Sequence, residues 1–149
     1  MKAIPVLVGD PGQLDLVTST PNQVARRLAA HFWPGPLTLV VPRHPSLPDA
    51  LSPTPTVGVR MPDHRLALAL LSQSGPLATT SANLSGGLNP LSAQEVQAQL
   101  EGRIDLILDG GICPGGTPST VVDCTSDALL IIRQGPLTLD DLKVVLSAD

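Results

Sequence analysis

PLATTSANLSGG, residues 76–87, is the stretch on which the reading of the fold turns. Leu77 and Ala78 lead into Thr79, Thr80, Ser81 and Asn83, and a Gly pair closes the run. It reads as a buried strand whose end opens into a polar turn. In open α/β sheets ligands collect at the carboxyl ends of strands, which makes these hydroxyls and this amide a candidate site. Ser and Thr each donate one O–H and Asn donates two N–H, and no base lies adjacent in sequence. The group therefore suits an oxyanion better than nucleophilic catalysis. A Ser/Thr/Asn turn before a Gly-rich loop is the equally available structural reading.

Working outward, strands and helices intermingle along the chain. Ile4–Val8 is an apolar, β-branched run stopped by Gly9-Asp10-Pro11-Gly12, and predicts a strand. Thr20 as cap and Pro21 as first residue predict a helix whose inner face carries Val24, Ala25, Leu28, Ala29 and Phe32, ended by Pro34-Gly35-Pro36. Leu37–Val41 predicts a strand buried on both faces. After a Pro-rich loop, Thr56–Arg60 predicts a short strand, and Asp63 caps a helix running to about Ser72. Ser92 and Glu95 form a capping box for a helix with Val96 and Leu100 inward. Leu106–Leu108 predicts a strand, 109–118 a Gly/Pro loop, Ser119–Cys124 and Leu129–Arg133 an antiparallel pair, and Thr138 caps a last helix. The expected class is α/β, a mixed sheet with helices in a single domain spanning 1–149.

At 149 residues the chain can bury roughly 70% of its unfolded surface. A hydrophobic share of 42% against 15% charged excludes a disordered tail, and no apolar run approaches the ~18 residues of a membrane span. With no signal-peptide pattern the chain reads as cytoplasmic. Cys113 and Cys124 are too few for a disulfide framework and lack zinc spacing with His31, His44 or His64, so both read as reduced and structural. The net charge of −4 argues against an extended nucleic-acid surface, and one Phe and one Trp leave little for base stacking.

Three further strand ends carry chemistry. Arg60 closes TVGVR, Ser119 and Thr120 open the strand after GGTP, and Arg133 closes LLIIR before Gln134-Gly135. Arg grips carboxylate or phosphate with two parallel hydrogen bonds, and Gly loops let backbone N–H groups approach an anion. Together they describe an anion pocket, although each Arg alone reads as a surface ion pair and each Gly as a tight turn. Phosphate-loop, dinucleotide-loop and nucleophile-elbow motifs are absent, and His64 at a helix start reads as a cap or surface residue.

The blocks FWPGPLTLVV (32–41), VGVRMPDH (57–64), TTSANLSG (79–86), PSTVVD (118–123) and IIRQG (131–135), in this order, resemble the YrdC-like family of threonylcarbamoyl-AMP synthases. The resemblance implies a twisted α/β fold with a concave ligand cavity. It also implies an enzyme joining L-threonine, bicarbonate or CO2, and ATP with Mg²⁺ into threonylcarbamoyl-adenylate for tRNA modification. Ser81 and Asn83 match the family's nucleotide-contacting S-x-N. Arg60 and Ser119 match residues near the threonine and phosphates, and Thr80, Thr120 and Arg133 fall in matching blocks. The resemblance leaves the catalytic residues unassigned and implies no protein-held metal.

The family pattern also includes a preceding strand-helix-strand ending in K-x-R. Here the Pro5–Val8 strand follows Met1 almost directly and Lys2 has no Arg two residues on, so a shortened domain of weak or absent activity is expected, with a homodimer covering exposed apolar surface. A non-catalytic binder of tRNA, double-stranded RNA or nucleotide is the alternative. A carbamoyl-transfer partner domain like those of hydrogenase-maturation proteins ranks behind it.

Overall fold

The structure is a computed structural model describing residues 3–113 and 116–147; Lys2 and the centre of the 109–118 loop lie outside the described residues. Its contacts gather into two compact units, Met1–Thr79 with Thr117–Asp149, and Thr80–Gly116.

The first unit holds the whole sheet. β1 (Val6–Leu7) is followed by the single turn α1 (Leu14–Val17), then α2 (Gln23–Phe32), β2 (Leu37–Pro42), β3 (Thr56–Arg60), α3 (Arg65–Ser74) and β4 (Leu77–Ala78). In the second unit stands α4 (Ala93–Leu100), after which the first unit resumes with β5 (Thr120–Asp123), β6 (Leu130–Arg133) and α5 (Leu139–Ser147). The six strands run in the order β4-β1-β3-β2-β5-β6. β1 is parallel to β3 and β2 to β5, whereas β2–β3, β5–β6 and β1–β4 are antiparallel. The expected mixed α/β sheet is present.

Alternation along β2 and β3 decides which face is core. Leu37, Leu39, Val41, Val57 and Val59 are buried on one side with Val122, where α2 and α5 pack through Ala25, Leu28, Ala29 and Leu142. α2 presents these residues at helical spacing, as expected, with Val24 and Phe32 at the margin. Burying one such Leu side chain contributes about 2 kcal/mol.

Several expectations are corrected. The cap of α2 is Asn22, whose Oδ1 accepts from Ala25 N at 2.9 Å, rather than Thr20. The cap of α3 is His64, which accepts from Ala67 N at 3.4 Å, rather than Asp63. In both cases the chain stays extended one or two residues longer than the first polar candidate suggested. Leu106–Leu108 is not a strand: no ladder partner among the described residues reaches it, and Leu106 and Leu108 are exposed. The Leu77–Ala78 strand, read as buried, is an exposed two-residue edge. Of the two cysteines only Cys124 is buried, which pushes its thiol up to about 12; Cys113 is exposed. No helix among the described residues is long and apolar enough to cross a membrane.

The position of the α2 cap is directly testable. Asn22→Ala should cost ~1 kcal/mol in urea unfolding while Thr20→Ala stays within ~0.5 kcal/mol; the reverse ranking would return the cap to Thr20.

Candidate functional site: an oxyanion cluster at one edge of the sheet

Mixed strand directions bring particular ends together. Because β3 runs against β2 and β6 against β5, while β2 and β5 are parallel, the carboxyl ends of β3 and β6 meet the amino ends of β2 and β5 at one sheet edge. Arg60 and Arg133 close β3 and β6; Thr38 and Ser119 stand at the starts of β2 and β5. Continuing the β2–β3 register one step beyond Leu39↔Val59 sets Thr38 opposite Arg60, and Thr38 pairs with Val121, which pairs with Arg133. The row therefore lies on the face opposite the core.

Arg133 reaches that face through an irregularity. Val122 pairs with Ile131 but Val121 pairs with Arg133, so Ile132 is an extra residue on β6. Strict alternation would have sent Arg133 the way of the core-packed Ile131; the bulge shifts the alternation and re-aims it. Its Nε and an Nη then donate to the Ser119 carbonyl at 3.2 and 2.9 Å, and the same Nη donates to Ser119 Oγ at 3.2 Å. Arg60 Nε donates to the Gly35 carbonyl at 3.0 Å. Gly35 is required there, since a Cβ would collide with the Phe32 carbonyl.

Both guanidiniums are thus anchored on neutral carbonyls. Among the described residues neither makes an ion pair with a carboxylate. Burial, and then the neighbouring Arg133 charge, lower the pKa of Arg60. Two positive groups close enough to feel each other and lacking a counter-ion form a site that gains from an incoming anion.

Ser119 Oγ lies 2.7 Å from Thr38 Oγ1, and both residues are buried. Thr120 is buried completely: its hydroxyl donates to the Leu137 carbonyl and accepts from the Gly135 and Leu137 N–H groups. That hydroxyl has nothing left to offer a ligand and instead clamps 135–137 onto β5. Gly135 completes the clamp, because a Cβ there would strike the backbone of Pro118–Thr120.

In the second unit Thr80 and Ser81 are exposed. Asn83 Nδ2 donates to the Leu84 and Gly87 carbonyls, both at 2.9 Å, closing the turn, and its Oδ1 is buried with no partner among the described residues. Gln99 on α4 binds this turn from the other side, accepting from Leu84 N and donating to the Leu88 carbonyl. The Asn83 amide donors are consumed locally, a use the sequence reading did not anticipate.

The family profile Sua5_yciO_yrdC, described as "Telomere recombination", matches residues 1–135. The chain belongs to the Sua5/YciO/YrdC family. It is 44% identical to the threonylcarbamoyl-AMP synthase of Bacillus subtilis over 95% of its own length and 42% of that protein's. To the threonylcarbamoyl-AMP synthase of Pyrococcus abyssi it is 40% identical over 90% of itself and 40% of that protein. The chain thus spans about two-fifths of the length of these relatives. The crystal structure of P. abyssi Sua5 complexed with L-threonine superposes with a TM-score of 0.88 at 37% identity, covering 98% of this chain and 44% of that one. E. coli YciO gives 0.81 at 29% identity over 94% of this chain and 69% of that one.

Set beside the family blocks, the sheet edge unites Arg60, Ser119 and Arg133, with Thr120 behind them. It adds Thr38, which the sequence reading passed over inside an otherwise apolar strand; a lone hydroxyl at a position alternating with Leu37 and Leu39 was the available signal. The direction of β4 differs from that of β1 and β3. β4 is antiparallel to β1, with Leu77 paired to Leu7 and Ala78 to Val6, so it leaves the sheet at the edge opposite Arg60. Assignment of Thr80, Ser81 and Asn83 to a ligand rests on their motif match. The strand-end donors are cationic or hydroxylic, a set that does not fit a divalent cation, and no group of three or more His, Cys, Asp or Glu suited to a metal occurs among the described residues.

Inorganic pyrophosphate is a simple probe of the cluster. At a hundredfold excess over its Kd it should add about 2.7 kcal/mol to stability, a rise of roughly 5–10 °C in Tm for a chain of this size. Arg60→Gln or Arg133→Gln should remove most of that rise; a rise of the same size in both variants would place the anion elsewhere.

Proposed function

We propose that this chain is the nucleotide- and threonine-handling domain of a threonylcarbamoyl-AMP synthase. It would join L-threonine, bicarbonate or CO2, and ATP into threonylcarbamoyl-adenylate, acting in the cytoplasm in tRNA modification. The observation that carries this reading is the pair of guanidiniums at the sheet edge with no carboxylate partner among the described residues, beside the buried Ser119 hydroxyl. Similarity to synthases of that name, and to a relative crystallised with L-threonine, supports the same choice of substrates.

In this reading the carbamate oxygen formed from threonine and bicarbonate attacks the α-phosphorus of ATP, the bond to the β-phosphate oxygen breaks, and pyrophosphate leaves. That displacement needs alignment and charge neutralisation more than a nucleophilic side chain. Arg60, Arg133 and Ser119 are suited to hold the carboxylate or phosphate oxygens and to stabilise negative charge as it redistributes. Mg²⁺, bound to the phosphates, would offset further charge there. Ser81 and Asn83, with Thr80, are proposed as nucleotide contacts through the S-x-N match. Thr120 acts through the 135–137 backbone.

Titration calorimetry of MgATP, with and without L-threonine and bicarbonate, tests the reading. Binding should weaken ~fivefold in Ser81→Ala, the worth of about one neutral hydrogen bond, and by more in Arg60→Gln. Absence of both MgATP and threonine binding would overturn it. Binding of tRNA that falls steeply with salt, without nucleotide binding, would replace it with the RNA-binding alternative, which a net charge of −4 disfavours.

The proposal includes a homodimer. Leu88, Leu106 and Ile112 of the second unit are 88%, 75% and 81% exposed, an apolar display that self-association would cover. Light scattering should give twice the chain mass at micromolar concentration, and a monomeric mass would remove the dimer.

A further inference from the structure

We infer that Thr38 is a positioning residue for the oxyanion cluster: its hydroxyl donates to Ser119 Oγ and thereby turns the Ser119 O–H toward the ligand. The inference rests on the reading of the cluster as an oxyanion site and assigns a role to a residue outside its contact set.

Hydrogen bookkeeping leads to it. Ser119 Oγ already accepts an N–H of Arg133 at 3.2 Å, and a single proton must lie in the 2.7 Å contact between Ser119 and Thr38. Were Ser119 the donor, its only hydrogen would be consumed. The Thr38 hydrogen, on a residue 8% exposed, would then have no acceptor among the described residues, just as the Ser119 hydrogen, on a residue 5% exposed, has none when Thr38 donates. The two arrangements are even in the empty cluster, and an anion held by Arg133, which also binds Ser119 Oγ, selects the second by accepting the Ser119 O–H. With Thr38 as donor, both Ser119 lone pairs are filled, by Thr38 and Arg133, and every buried hydrogen but one is placed. The one left over is the Ser119 O–H. Tetrahedral geometry at the oxygen points it away from both donors, so it remains available to an anion drawn in by Arg133 and Arg60.

Thr38 is built to hold this orientation. It is β-branched and lies in the middle of the sheet, between β3 and β5, where χ1 is restricted. Its Cγ2 lies over Gly58, 3.4 Å from where a Cβ would stand on that residue, so the methyl occupies the space the glycine leaves. With the methyl seated on β3, the hydroxyl is left facing β5 and Ser119. A serine at 38 would keep the donor and lose the methyl seat, whereas a valine would keep the shape and lose the donor.

The test compares wild type with Thr38→Val, Thr38→Ser, Ser119→Ala and the Thr38→Val/Ser119→Ala double variant. Inorganic pyrophosphate and L-threonine are titrated separately, and the tighter ligand is followed. Thr38→Val should weaken binding about tenfold while Tm holds, since an apolar isostere leaves no unpaired group except on Ser119. Thr38→Ser should restore most of the affinity. The double variant should bind no worse than Ser119→Ala, because Thr38 acts only through Ser119. Wild-type affinity in Thr38→Val, or additive losses in the double variant, would overturn the inference. If wild type binds neither ligand, the oxyanion reading itself fails, and the Ser119 role of Thr38 is then decided in the ligand-free protein by NMR couplings that report Ser119 χ1. One rotamer in wild type and Thr38→Ser with averaging in Thr38→Val supports it; one rotamer in all three overturns it.

Discussion

Two guanidiniums held near each other, with no carboxylate partner among the described residues, are the constraint around which this sheet edge is built. Like charges in a partly desolvated place repel, and burial together with the Arg133 charge lowers the Arg60 pKa. Something must hold them there. Here it is backbone: the Gly35 carbonyl takes Arg60, and the Ser119 carbonyl takes Arg133 through two N–H groups. Neutral anchors fix the geometry and leave the positive charge uncompensated. A carboxylate partner would have stabilised the resting protein and removed the affinity for an anion.

The anchors in turn depend on close backbone approaches. Gly35 cannot carry a side chain beside Phe32, and Gly135 cannot carry one against 118–120. The Thr120 hydroxyl ties 135–137 to the first residue of β5, next to the Ser119 carbonyl that Arg133 grips. The Ile132 bulge then turns Arg133 onto the ligand face. Bulges near sites commonly serve this end, since one extra residue shifts side-chain alternation while locally bending and twisting the strand. Glycines, clamp and bulge each look like local irregularities, and each acts on the same few atoms.

Much of this was legible in the chain. TVGVR and LLIIR announced strands ending in arginine, and the antiparallel pairing of Ser119–Cys124 with Leu129–Arg133 followed from the short polar turn between them. The Thr138 cap of the last helix was also readable: its hydroxyl accepts from Asp141 N, and the Asp141 carboxylate accepts in turn from Thr138 N. Other features were not. Asn22 lies two residues beyond Thr20, and only the path of the entering chain decides which of them caps α2. Thr38 sits in an apolar run, where a hydroxyl is as common in plain packing as in a site. Asn83 was read for its donors, which the turn at Leu84 and Gly87 consumes.

The sequence by itself determined the class of fold, the family and the identities of the charged and hydroxyl groups, because alternation, caps and motif blocks are local properties written in neighbouring residues. Tertiary structure alone decided which of those groups meet. Strand order and direction bring the ends of β3 and β6 to the starts of β2 and β5 and send the end of β4 to the opposite edge, so Arg60, Ser119 and Arg133 converge while proximity in sequence counts for nothing. The physical reason is that pairing direction is set by hydrogen bonding and burial between segments far apart in the chain, and no short window of residues contains that information.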